Sequence, residues 1–252
     1  MTGPKVLFID IETSPILMTS WSMRPPYAGA VYVLRDTYIL MASWKWGHEK
    51  TVKTAALPDF PRYKRHKHDD KDLCALLHDL LDRADIVCAH NGDQFDIKKI
   101  NARLIVNKFK PPSPYKTIDT LKVSRGAFKF DSNKLDNIGR YTGEGRKIPN
   151  TGADLWRGVV EDGDPKAWKT MRRYCKQDTV LLASVYERIK PWAKSHPDMG
   201  MYRAYRDRPP GIACPTCEST NTQRRGVIVK LKTRRHRHHC QACGTWFSGK
   251  PV

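Results

Sequence analysis

Apolar positions along this chain switch between two spacings. Val6-Leu7-Phe8-Ile9-Asp10-Ile11-Glu12-Thr13 is a near-continuous apolar run interrupted by two acids, the pattern of a central strand buried on both faces. Residues 14–30 carry Pro15, Pro25, Pro26 and Gly29 and read as a loop. Val31 to Leu34, Tyr38 to Trp46 and Thr51 to Ala56 are rich in β-branched and aromatic residues, which predicts an antiparallel meander beside the first strand. The period then changes. Leu73, Leu76, Leu77, Leu80 and Leu81 recur at helical spacing within Asp69 to Arg83 and mark a helix with one buried stripe. Asp85 to Ala89 reads as a short strand, Gln94 to Val106 as a second helix, and Thr117 to Asp119 as another short strand after Pro111, Pro112 and Pro114. Ser132 is placed to cap a short helix that stops near Gly143. A further short helix holds Leu155 and Trp156. Asp164-Pro165 opens a long one, running through Trp168, Met171, Tyr174, Cys175, Asp178, Leu181, Leu182 and Val185 to a stop before Pro191.

A meander followed by alternating strands and helices predicts an α/β layered fold with a mixed sheet over residues 1–193. Residues 194–210 are polar, with Pro197, Pro209 and Pro210, and read as a linker to a small second domain at 211–252. No apolar run approaches the ~20 residues that span a bilayer. The N-terminus leads straight into the first strand without a signal-peptide pattern, so a cytoplasmic protein without membrane contact is expected.

Charge narrows the class of partner. Forty-five Lys and Arg against 26 Asp and Glu give a formal +19, which favours a polyanion, most commonly nucleic acid. The basic run Tyr63-Lys64-Arg65-His66-Lys67-His68 is either a solvated loop or a phosphate-contacting edge.

The seven cysteines fall into two groups. Cys74, Cys88 and Cys175 sit in apolar or helical patterns and read as buried thiols. Cys214, Cys217, Cys240 and Cys243 form two Cys-x-x-Cys pairs 22 residues apart, the spacing with which two knuckles place four thiolates around one structural Zn²⁺. His236, His238 and His239 are nearby substitutes. The segment resembles a zinc ribbon, with Gly226 to Lys232 as an alternating strand and Trp246-Phe247 as a second apolar patch. A core this small depends on the metal for most of its folding energy. Arg224, Arg225, Lys230, Lys232, Arg234, Arg235 and Arg237 offer a phosphate-binding surface or a solvated hairpin. A protein-docking role for the ribbon, toward a replication or repair partner, is equally open.

The two acids of the first strand share one face, because side chains alternate along a strand. Paired carboxylates at low dielectric require a neighbouring positive charge, and a hard divalent cation takes oxygen ligands; an edge strand with one solvated face is the plainer reading. Acids also follow the strand end at His90-Asn91-Gly92-Asp93-Gln94-Phe95-Asp96, where α/β folds place ligands. Tyr174 and Asp178, four apart, share one face of the long helix.

Together and in this order, Asp10-Ile11-Glu12, His90-Asn91-x-x-Phe95-Asp96 and Tyr174-x-x-x-Asp178 resemble the three motifs of the DEDD superfamily of 3′–5′ exonucleases, in the tyrosine (DEDDy) branch that includes polymerase proofreading domains. The resemblance covers residues 4–192 and is similar to stand-alone prokaryotic and phage members. It implies a ribonuclease H-like mixed sheet flanked by helices. It also implies two Mg²⁺ or Mn²⁺ ions, with Asp10 bridging, Glu12 and Asp178 completing the first and Asp96 holding the second. Tyr174 would orient or deprotonate the attacking water. Asp93 is a neighbouring acid, but Phe95 fixes the alignment on Asp96. Thr13 and Asn91 are candidates to contact the terminal nucleotide, and Phe95, Trp21 and Tyr27 to stack on bases. Asp119, after a strand, reads as a helix cap.

The expected activity is metal-dependent 3′–5′ exonucleolysis of nucleic acid, DNA favoured over RNA, at single-stranded or frayed 3′ ends. Two alternatives use the same residues: a structure-selective endonuclease on this fold, and a non-catalytic nucleic-acid or polymerase-binding factor.

Overall fold

The computed structural model describes residues 3–21, 32–149, 151–209 and 211–251, with the side chains of Tyr205, Lys230 and Lys250 outside the described set. Tyr27 and Val31 lie outside it as well. The strands are β1 (Val6–Thr13), β2 (Leu17–Thr19), β3 (Tyr32–Arg35), β4 (Ile39–Trp46), β5 (Lys53–Ala56), β6 (Ile86–Ala89), β7 (Lys116–Asp119), β8 (Thr222–Lys230), β9 (Thr233–Cys240) and β10 (Trp246–Pro251). The helices are α1 (Lys71–Asp82), α2 (Asp96–Val106), α3 (Thr120–Ala127), α4 (Leu135–Thr142), α5 (Ala153–Val160) and α6 (Pro165–Ile189). Among the described residues, no helix is long and apolar enough to cross a membrane.

Strand β1 is the middle of a five-stranded mixed sheet of order β5-β4-β1-β6-β7. β4 pairs antiparallel on one side of it and β6 parallel on the other. Its alternation sorts two cores. Leu7, Ile9 and Ile11 join Leu73 and Leu77 of α1 and Ile100 and Leu104 of α2. Val6 and Phe8 join Ile86, Cys88 and the Leu181, Leu182 and Val185 stripe of α6. Asp10 and Glu12 continue the Val6–Phe8 row, so the row that packs under α6 ends in two acids.

Two differences from the sequence pattern are instructive. β2 and β3 pair with each other in a separate two-stranded sheet, so the meander beside β1 contains only β4 and β5. Leu17, Met18, Tyr32, Val33 and Leu34 stay exposed there, which β-propensity alone does not foresee. Helix α3 breaks no apolar rhythm and starts where the Asp119 carboxylate accepts from Leu121 N at 2.9 Å.

Residues 194–209 form two short 3₁₀ turns, Met199–Tyr202 and Tyr205–Asp207. Met199 and Tyr202 pack on the α6 core. Met199 N donates to Pro215 O at 2.7 Å, and Arg203 pairs with both oxygens of Glu218. These contacts tie the three-stranded sheet β10-β9-β8 to the rest of the chain.

One buried charge fastens α1 and α2 to the sheet. Asp70 is fully buried and accepts from Ile39 N at 2.9 Å, from Arg103 Nε and Nη2 at 2.7 and 2.8 Å, and from Asn107 Nδ2 at 2.9 Å. Asp70→Ala leaves Arg103 without its counter-charge. The expected loss is about 3 kcal/mol, the lower end of the range for a broken buried pair because Arg103 keeps some exposure. Urea unfolding measures it, and a loss under about 1 kcal/mol would show that the pair is not a fastening.

Candidate active site

Three elements deliver four acids to one place. β1 brings Asp10 and Glu12, the first residue of α2 is Asp96, and α6 carries Asp178 with Tyr174 one turn earlier. The ligand atoms of Asp10, Glu12 and Cys175 lie within 4.8 Å of one another. Asp96 is 3% exposed, and its Oδ1 accepts from Ile11 N at 3.1 Å, bonding the second acidic segment directly to the first. Asp93, by contrast, faces outward and pairs with Lys122 at 2.6 Å.

The loop before α2 has its own local logic. Asn91 sits in the left-handed region at φ 64°, which Asn tolerates better than most residues. A Cβ on Gly92 would lie 2.4 Å from Ala89 Cβ, so the turn requires glycine. Asp119 accepts from Asn91 N at 2.9 Å and Asp93 N at 3.3 Å besides capping α3. It is therefore more than a cap: it holds the loop that aims Asp96. His90 is wedged between Thr120 Oγ1 and Asn133 O at 2.9 and 3.1 Å. Burial pushes its pKa down to about 4, so it stays neutral.

Beneath Asp10 the floor is polar. Cys175 Sγ donates to Asp10 Oδ2 at 3.3 Å and contacts Ser43 Oγ at 3.2 Å. Ser43 also bonds Thr179 and the Cys175 carbonyl. These groups lock α6 against β4 and fix the register of Tyr174 and Asp178 over β1.

The sequence pattern gave no role to Lys147. Its Nζ donates to Asp178 Oδ2 at 2.5 Å and to Tyr174 Oη at 3.3 Å. The loop that carries it is anchored by Asp136, which accepts from Arg146 at 2.9 and 2.8 Å and from Lys147 N at 2.8 Å. Gly139 lets that loop close in, since a Cβ there would lie 2.6 Å from Gly145 O. A lysine in a glycine-bearing basic loop carries no periodic signal, and only the fold reveals its partners.

Burial, reinforced by the charges of Asp96, Glu12 and Asp178, holds the Asp10 carboxyl well above the ordinary carboxylate range. Burial and then Asp178 push Glu12 up to about 8, and burial pushes Asp96 up to about 7. Asp178 is raised by burial in spite of Lys147. Tyr174 is pushed up to about 12, by burial first and then by Asp178. The cluster is thus short of positive charge. Asp178 Oδ1 is buried without a hydrogen-bond partner. An oxygen-only acid set with an orphaned carboxylate oxygen fits a hard divalent cation.

Of the other candidates, Thr13 ends β1, and its carbonyl accepts from Trp156 Nε1 at 2.9 Å. Phe95 is 38% exposed beside Asp96, and Trp21 is exposed.

The cysteine cluster is separate from the acids. Sγ atoms of Cys214 and Cys243, and of Cys217 and Cys240, lie 3.7 Å apart. That is far beyond a disulfide bond and close to the ~3.8 Å edge of a tetrahedron with ~2.3 Å Zn–S bonds. The four thiols fit zinc, and no histidine joins their cluster. His239 instead stacks on Trp246 at 4.4 Å, and His238 on Phe247 at 5.5 Å. Arg224, Arg225, Lys232, Arg234, Arg235 and Arg237 are exposed on or beside β8 and β9.

Comparison with known proteins agrees with this architecture. A family model of the RNase H superfamily matches residues 7–190. A search of curated proteins finds no match. Among solved structures, the family B DNA polymerase from the hyperthermophilic archaeon Pyrobaculum calidifontis aligns with a TM-score of 0.52 at 14% identity, covering 75% of this chain and 25% of the polymerase chain. This chain therefore spans about a quarter of that polymerase's length, and at this identity the likeness concerns the fold. Since the family match takes in most of the chain and the entire mixed sheet with the helices that flank it, this chain belongs to the RNase H superfamily.

Proposed function

We propose that this protein is a metal-dependent 3′–5′ exonuclease acting on DNA at single-stranded or frayed 3′ ends. Its catalytic residues are Asp10, Glu12, Asp96, Tyr174 and Asp178. The observation that carries the reading is the convergence of four acids, Asp96 and Asp178 buried and Asp10 and Glu12 half-buried, and a tyrosine from β1, α2 and α6 around one orphaned carboxylate oxygen. Superfamily membership supports a nuclease, and the tyrosine spacing on α6 supports the exonuclease class over an endonuclease. A DNA polymerase among the solved folds it resembles is consistent with DNA.

In this reading Asp10, Glu12 and Asp178 would hold one Mg²⁺ or Mn²⁺, and Asp10 with Asp96 a second. Bound there, the pair would supply charge to the phosphoryl oxygens and acidity to a water. The protein's own groups do the positioning. Tyr174, whose pKa burial and Asp178 push up to about 12 in the metal-free chain, would orient or deprotonate the attacking water. Lys147 puts a fixed positive charge beside Asp178, where it would offset the phosphate charge in the transition state. Thr13, Asn91 and Phe95 would contact the terminal nucleotide.

The organisation that accompanies this activity is a nuclease domain over 1–193, a linker over 194–210 and a zinc ribbon over 211–252 with Zn²⁺ on Cys214, Cys217, Cys240 and Cys243. The ribbon's role is to hold nucleic acid through Arg224, Arg225, Lys232, Arg234, Arg235 and Arg237, with Lys230 of the same hairpin. The half-exposed Trp246, with Arg237 5.1 Å from its ring centre, offers a base-stacking surface beside those cations.

End-labelled oligonucleotide digestion tests the activity. With Mg²⁺ or Mn²⁺, mononucleotides should be released from the 3′ end, and Asp10→Ala should slow release by at least about a hundredfold. Lys147→Met should lower kcat more than it changes KM. Discrete long fragments would indicate an endonuclease, and tight binding without cleavage a non-catalytic factor.

Metal should also couple to stability. Without divalent ions at the acids, the folded chain holds protons at Glu12 and Asp96 that unfolded carboxylates near ~4 would release. The stabilisation from these two groups is complete below about pH 4 and is lost as pH rises through about 7 and 8. The melting temperature in Mg²⁺-free buffer should therefore fall across that window, less so in Glu12→Gln. Mg²⁺ should restore it, and a Mg²⁺-independent melting profile would count against metal binding by the acids.

Zinc content is checked by elemental analysis, with one ion per chain expected and none in Cys217→Ser/Cys243→Ser.

A further inference from the structure

A cleft of about 1050 Å³ opens beside α6, lined by its Val180, Ala183, Ser184 and Glu187 stripe and not by its Tyr174 and Asp178 positions. Val6 and Phe8 at the start of β1 supply an apolar floor, and Met199, Thr216 and Cys217 the far wall. Its volume lies just above the range of single-ligand pockets, about 300–1,000 Å³.

The unusual group in it is Lys45. β4 is an interior strand, and Lys45 stands opposite Phe8 between the buried Trp44 and Trp46. Lys45 is half-buried near the end of β4, and a lysine taken fully out of water needs an anionic partner. Among the described residues, no carboxylate or other acceptor meets its ammonium group. Each of the three acids lining the cleft has a cation of its own, Glu49 through Oε1 with Lys53 at 2.8 Å while its Oε2 has no partner among the described residues, Glu187 with Lys190 at 2.5 Å, and Glu218 with Arg203. Arg83 likewise pairs with Asp79 at 2.7 Å. Among the described residues, the ammonium groups of Lys5, Lys45 and Lys50 meet no acid around this apolar floor, although Lys5 N donates to Asp85 Oδ2 at 2.7 Å. The pocket therefore has an excess of positive charge next to a surface that suits a sugar or base.

We propose that this cleft binds phosphate-bearing nucleotide units, with the phosphates on Lys5, Lys45 and Lys50 and the sugar or base against Val6 and Phe8. This rests on the nucleic-acid reading above and adds to it a second contact site, at the Val6–Phe8 end of the β1 row that continues into Asp10 and Glu12. Its size favours more than one nucleotide, hence a strand. An acidic protein segment would use the same lysines without needing the apolar floor.

The test uses the full chain carrying Asp10→Ala, so that substrate survives, with zinc retained and Mg²⁺ present. Binding of a fluorescein-labelled oligothymidylate is followed by anisotropy through a NaCl titration. Lys45→Gln/Lys50→Gln should weaken binding about tenfold at low salt. It should also make the dependence of log K on log salt shallower by about 1.4, near 0.7 for each lost single-strand phosphate contact. Lys50→Gln alone, at an exposed position, should remove about half of that slope change, and Lys45→Arg should retain the wild-type slope. The melting temperature of each variant confirms that the fold is intact. Competition by thymidine monophosphate that depends on Lys45 would identify free nucleotide as the occupant, and its failure would identify the strand. Unchanged affinity and slope in the double variant overturn the cleft alone. Absence of oligonucleotide and mononucleotide binding in the parent chain overturns both the cleft and the nucleic-acid reading. Lys45-dependent capture of polyglutamate with no effect on the oligonucleotide overturns the nucleotide assignment.

Discussion

Four carboxylates repelling one another, two buried and two half-buried, are the constraint around which this fold is arranged. Such a cluster is tolerable only where rigid elements hold each acid in place and where positive charge is supplied. The scaffold meets the first condition by placing Asp10 and Glu12 on the middle strand of the sheet, with paired neighbours on both sides. Asp96 cannot drift, because the backbone of Ile11 bonds its carboxylate. Asp178 cannot rotate away, because Cys175 and Thr179 on either side of it bond Ser43 of β4. Even the loops comply: Gly92 and Gly139 are positions where a single added carbon would push the second acidic segment or the lysine loop outward.

The second condition is met in part from within. Lys147 neutralises one carboxylate and leaves the others with protons more tightly held than in water. A site with no internal cation would put the whole repulsion on the metal-free chain. One with a full complement would have no affinity for a divalent ion. A single anchored ammonium lies between these extremes, which explains why its loop is fastened by the Asp136 to Arg146 pair and not left to solvent.

Much of this was legible in the sequence because it obeys simple periodicities. The acidic strand, α1, α2, α6 with its Asp164 cap, and the cysteine pairs all declare themselves through alternation, helical spacing or ligand spacing. Asp96 was separable from Asp93 by the motif, and the fold gives the physical counterpart: one is buried against β1 and the other bonds a surface lysine. What escaped has long-range causes. Lys147 sits 31 residues from Asp178 in sequence with no pattern linking them. Asp119 read as a cap because its helical partners are local, whereas its bonds to Asn91 and Asp93 span 28 and 26 residues. The split of β2 and β3 from the main sheet depends on which strand edges remain free after β1, β4 and β5 pair, and side-chain type does not encode that.

The charge of the chain can be understood on the same terms. An acidic centre would repel a polyphosphate at long range, so the surrounding surface must overcome that field before short-range ligation takes over. The excess of +19 does so globally, but a diffuse positive surface attracts without orienting. Orientation requires cations fixed relative to the acids. The contacts from Met199 to Pro215 and from Arg203 to Glu218 supply that fixity, by holding the cysteine-bearing sheet against the core. In the proposed function, a freely tethered basic module would only raise the local concentration of nucleic acid, whereas a docked one would also limit the directions from which a strand could reach the acids.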